Sequence, residues 1–72
     1  MDPWMSAPHE IEIVDINHRS FEYFEFISSD RAMLFLDEKL TSDEIATHSF
    51  LGTTLGTYKR DKNGKVVPIL NI

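Results

Sequence analysis

Apolar and polar residues nearly alternate through residues 10–16 (EIEIVDI) and again through residues 21–27 (FEYFEFI), which predicts two strands. A helix over the second segment would spread its aromatic side chains all round the axis and leave no apolar stripe. Both segments change phase in the middle. Ile11 and Ile13 share one side and Val14 and Ile16 the other; Phe21 and Tyr23 share one side and Phe24 and Phe26 the other. A four-residue loop at residues 17–20 pairs position i with 37 − i and makes the two phase changes coincide. One face then carries Ile11, Ile13, Phe24 and Phe26, and the opposite face Val14, Ile16, Phe21 and Tyr23. A half-solvated sheet does not need apolar clusters on both faces. The pattern therefore predicts a helix over one cluster and another chain over the other, with a bulge that rotates the ribbon as the alternative. The same register sets Glu12 opposite Glu25 and Asp15 opposite Glu22, like charges that destabilise a sheet. A three-residue loop, pairing i with 38 − i, removes both clashes but sets Ile13 beside Glu25 and Ile16 beside Glu22. The pattern alone leaves both registers open.

Ser28, Ser29 and Asp30 supply N-cap candidates for a helix running to about Leu40, in which Met33, Leu36 and Leu40 recur at helical spacing beside Ala32 and Phe35. Thr41-Ser42-Asp43-Glu44 matches a capping box and predicts a second short helix to about Ser49 or Phe50, with Ile45 and Phe50 on the core and Gly52 as its C-cap. Residues 53–59 and 66–72 read as strands around Asn63-Gly64, a type I′ hairpin signal. A turn placed there pairs i with 127 − i, sets Pro68 opposite Lys59 and marks the returning strand as an edge. Arg60, Lys62 and Lys65 then share a face with Tyr58 and Ile69, and Leu55, Leu70 and Ile72 take the other. Residues 1–9 read as a flexible arm carrying a lone aromatic anchor, Trp4, between Pro3 and Pro8. The predicted fold class is α+β: a small antiparallel sheet of about four strands in the order β-β-α-α-β-β, with one or two short helices on one face, all in a single domain over residues 10–72.

Size makes this domain depend on its partners or its packing. A core in a chain of 72 residues rarely supplies more than roughly 3–5 kcal/mol. With no cysteine, disulfides and thiolate metal sites are excluded, which leaves homo-oligomerisation, complex formation or close packing. The longest apolar run covers residues 32–36, far short of the ~20 needed to span a membrane, and the expectation is a soluble, cytoplasmic protein with no membrane contact. Charge is divided unevenly. Residues 1–58 hold eleven acidic and three basic residues, a net of −8; residues 59–72 hold four basic residues and Asp61, a net of +3.

No motif specifies a reaction. His9, His18 and His48 have no metal-ligand spacing, no GxSxG is present, and Gly52 and Gly56 form no phosphate loop. No catalytic residue, cofactor or metal is predicted. The leading reading is a non-enzymatic regulator or inhibitor that docks on a larger protein, also as a homodimer. Its contact set is Glu12, Phe21, Glu22, Tyr23, Phe24, Glu25 and Phe26, an acidic and aromatic surface suited to a basic partner. The alternative is nucleic-acid binding by Tyr58, Arg60, Lys62 and Lys65, where a ring stacks a base and cations hold phosphates. A third, small nuclease built on His48, Tyr58 and Arg60 has no base placed beside a nucleophile.

Overall fold

Among the described residues, five strands and one helix follow one another as β1 (His9–Asp15), β2 (Phe21–Phe26), α1 (Ser29–Lys39), β3 (Glu44–Phe50), β4 (Thr53–Arg60) and β5 (Val66–Pro68). The computed structural model describes residues 8–17 and 20–69. The readings of Trp4, His18, Arg19, Leu70 and Ile72 lie outside the described residues. Every pairing is antiparallel and the sheet order is β2-β1-β3-β4-β5, so β2 and β5 are the edges. The class is α+β as expected, but the order is ββαβββ, with one helix and five strands.

Ile11 and Ile13 alternate inward along β1, and α1 lies over them. Ala32, Leu36 and Leu40 from the helix region and Ala46 from β3 complete the buried core. Ile11 and Leu36 are the largest fully buried side chains, each contributing about 1.5–3 kcal/mol. The helix starts where Ser28 Oγ accepts the Arg31 N–H at 3.2 Å, with Asp30 in the first turn and Lys39 in the last, both favourable to the helix dipole.

The β1–β2 ladder is continuous and pairs i with 35 − i, so neither expected register is the observed one. A shift of two residues from the first leaves both faces as predicted, because side chains alternate with a period of two. The helix covers the Ile11, Ile13, Phe24 and Phe26 face. Phe35 of α1 packs on Phe24 and Phe26, with ring centroids 4.6 and 5.0 Å away. The shift also moves Glu25 from Glu12 to Glu10 and places Glu12 beside Tyr23.

The second predicted helix is a strand. Half of its capping box forms: the Thr41 N–H donates to Glu44 Oε1 at 2.8 Å, while the Glu44 N–H donates to the Thr41 backbone carbonyl at 3.2 Å. These bonds close a tight turn that delivers the chain into β3. Ala46 and His48 alternate inward beneath Ile13 and Ile11, and pairing along the whole of β1 outweighs a local helix signal. Ile45 is thereby carried to the face away from the helix, and Phe50 is left partly exposed beside His9.

Gly52 closes the β3–β4 hairpin rather than a helix. Phe50 pairs with Thr53, and both residues between have positive φ, +50° at Leu51 and +86° at Gly52, as a type I′ turn requires. Leucine is a poor residue there, since the left-handed region costs an L-residue about 1–2 kcal/mol. Leu51→Asn should therefore raise the melting temperature by about 4–8 °C, measured by thermal denaturation, because Leu51 is exposed and buries little to offset the strain. Further along, an extra residue, Leu55, bulges from β4 between the His48–Gly56 and Ser49–Thr54 pairs.

The β4–β5 turn is one residue longer than predicted. Asp61 pairs with Lys65 across a three-residue loop, its N–H donating to the Lys65 carbonyl at 2.8 Å, and its carboxylate accepts the Asn63 and Lys65 N–H groups, each at 2.9 Å. Gly64 takes the positive φ of +83°. Pro68 consequently faces Tyr58, and the pairing is i with 126 − i.

Candidate functional site

Three rungs cross the face of the sheet that α1 leaves uncovered. Phe21, Val14 and Ile45 lie side by side on β2, β1 and β3. Tyr23, Glu12 and Thr47 form the next rung, and Glu25, Glu10 and Ser49 the third. Phe21, Tyr23 and Val14 are 59, 48 and 42 % exposed. The surface thus grades from an apolar end to an acidic end at Glu10 and Glu25 over about 14 Å, two rung spacings along a strand, with Tyr23 and Glu12 between them. Glu10 and Glu25 stand directly opposite each other, a placement that disfavours the sheet. The Tyr23 hydroxyl donates to Glu10 Oε2 at 2.5 Å. That bond, with the negative charge of Glu10 and Glu25 beside it, pushes the Tyr23 hydroxyl up to about 12.

Of the seven residues expected to meet a partner, Glu12, Phe21, Tyr23 and Glu25 share this open face. Glu22, Phe24 and Phe26 lie on the helix face, and Phe24 and Phe26 are partly buried against Phe35. Glu10 and Val14 share this face by the alternation of β1, and Ile45 joins it because β3 pairs with β1.

The four residues of the basic hairpin are not brought onto one surface. Tyr58 packs against the core cluster from the helix face. The Arg60 guanidinium turns back to the end of α1: Nε donates to the Leu40 carbonyl and Nη2 to the Asp37 carbonyl and, at 3.3 Å, to the Leu36 carbonyl. Nη1 donates to the Gly64 carbonyl at 2.7 Å. Arg60 therefore satisfies the Asp37 and Leu40 carbonyls, which the helix end leaves unpaired, and adds a second donor to the Leu36 carbonyl, which already accepts the Leu40 N–H. Lys62 and Lys65 are exposed in the turn.

A histidine pair sits on the helix face, with His9 Nδ1 3.0 Å from His48 Nε2 and the His9 ring against Phe50. His48 is only 2 % exposed. Burial, and then the charge of His9, hold His48 below its ordinary 6.5. A histidine whose pKa is lower folded than unfolded leaves stability intact above about 6.5 and removes it as pH falls below that value, because the unfolded chain takes up the proton first. Urea denaturation from pH 7.5 to 5 should show this decline in the wild type and a smaller one in His48→Gln. Among the described residues no group of three or more His, Cys, Asp or Glu could hold a metal ion. Among the same residues no helix is long and apolar enough to cross a membrane. Compared with known proteins, the chain matches no family model, no curated protein and no solved structure.

Proposed function

We propose that this protein is a small non-enzymatic binding module, a regulator or inhibitor that occupies a basic surface on a larger protein through the open face of β1 and β2. One observation carries the reading: Phe21, Tyr23 and Val14 stand exposed beside Glu10, Glu12 and Glu25 on a face that no element among the described residues covers. Two departures from sheet design coincide there, solvent-facing aromatic residues and directly opposed glutamates. Sequences break such local rules mainly where function is served. A basic partner would neutralise the opposed carboxylates, whose mutual repulsion the free protein bears, and long-range attraction would speed its approach. Phe21 and Tyr23 would then supply the desolvated contact, since aromatic residues bury large areas at low conformational cost. Tyr23 suits both ends of this surface, its ring toward the apolar rung and its hydroxyl on Glu10. Quantitative affinity capture from the native host tests the proposal, using the wild type beside variants of the open face and of the basic turn.

A further inference from the structure

We infer that the free edge of β2 and the adjoining side of α1 form a two-fold interface with a second copy of this chain. The two edges of the sheet differ. β5 is three residues long and includes Pro68, which blunts it against strand addition. β2 is six residues long with no proline and no bulge. The Asp15 N–H donates to the Ser20 carbonyl at 3.0 Å, which fixes the alternation of the ladder. Glu22, Phe24 and Phe26 therefore bond to β1, and the N–H and C=O groups of Phe21, Tyr23 and Glu25 point outward along the edge.

The surface beside that edge is apolar and shallowly indented. Depressions of about 370, 240 and 210 Å³ lie along the seam of β2 and α1, and Ile27 at its end is 74 % exposed. A stripe of α1 borders the seam at helical spacing: Arg31, Leu34, Phe35 and Glu38. Arg31 and Glu38 are seven residues apart on one side of the helix. Antiparallel pairing of two such helices about a two-fold axis near Leu34 and Phe35 sets Arg31 against the second copy's Glu38 and Glu38 against its Arg31. The stripe is thus complementary in charge to itself, as an isologous contact demands.

The spacing of the strands suits the helix contact. Strands in a sheet lie about 4.8 Å apart and α1 sits over β1 and β2, so joining β2 to its copy sets the two helices roughly 10 Å apart, a normal helix–helix packing distance. Antiparallel pairing centred on Tyr23 opposes Tyr23 to its copy and Phe21 to Glu25, and places no glutamate directly opposite another. The product is a ten-stranded sheet with both helices on one side and both open faces on the other. The inference goes beyond the proposed function and does not depend on it, because Arg31 and Glu38 lie away from the open face.

Sedimentation equilibrium of the full chain from about 10 μM to 1 mM tests it. The expected mass is twice the 8.3 kDa of one chain. Arg31→Glu and Glu38→Arg should each weaken dimerisation about tenfold, and the double variant should return to within about threefold of wild type. Both sites are exposed, and the double variant places an acid in the first helical turn and a base in the last, so its helix is favoured by the dipole; circular dichroism confirms the fold. A monomer throughout, assemblies larger than dimers, single variants that dimerise as well as wild type, or a folded double variant without rescue would each overturn the interface. None of these outcomes alters capture by the open face in the monomer.

Discussion

Arg60→Ala is expected to cost about 2–4 kcal/mol of folding stability, measured by urea denaturation. The guanidinium meets three carbonyls at the end of α1 and a fourth in the β4–β5 turn. Removing it leaves the partly buried Leu40 carbonyl without its donor and takes a positive charge from the negative end of the helix dipole, while the Leu36 carbonyl keeps the Leu40 N–H. In a domain whose core rarely supplies more than about 3–5 kcal/mol, the variant would be near its unfolding midpoint without denaturant. Arg60→Lys should recover less than about half of the loss, because an ammonium keeps the charge but cannot fork to carbonyls on separate residues. Amide exchange should quicken first in the last turn of α1, which Arg60 ties to β4. A loss within about 0.5 kcal/mol for Arg60→Ala would show that solvent satisfies those carbonyls equally well.

Phe21→Ser combined with Tyr23→Ser should weaken partner binding by about 30- to 1000-fold, the effect of removing an aromatic anchor worth roughly 2–4 kcal/mol. Folding stability should change little, because both side chains are exposed and neither packs on the core. Phe24→Ser or Phe26→Ser should behave in the opposite way. These rings pack against Phe35, so their loss opens the interface of β2 and α1 and destabilises the fold before it reports on any partner. Replacing Glu10, Glu12 and Glu25 with glutamine should act mainly on the association rate and make it less sensitive to salt.

The sequence made much of the first hairpin legible. Alternation assigned Ile11, Ile13, Phe24 and Phe26 to one face and Val14, Phe21 and Tyr23 to the other, and an even shift in register left that division intact. The loop length leaves the exact pairing open, so the opposition of Glu10 to Glu25 is visible only in the folded sheet. The helix was readable from Ser28 and from the spacing of Leu36 and Leu40. Thr41 and Glu44 carry a helix-start signal, but the bond from the Thr41 N–H to the Glu44 carboxylate here closes a turn, while Ile45, Thr47 and the buried Ala46 and His48 follow the period of a strand. No local pattern could pair His9 with His48, which are 39 residues apart, or send Arg60 to the carbonyls of α1. Both depend on long-range contacts that only the folded sheet creates. Asn63-Gly64 located a turn correctly, and the carboxylate of Asp61 lengthened its loop by one residue.

The most direct measurement is quantitative affinity capture from the native host with three baits: wild type, Phe21→Ser/Tyr23→Ser, and Lys62→Gln/Lys65→Gln. The proposed function predicts a basic protein captured by the wild type and by the turn variant and lost with the open-face variant. Equal capture by the open-face variant, or loss of capture with the turn variant alone, would contradict it.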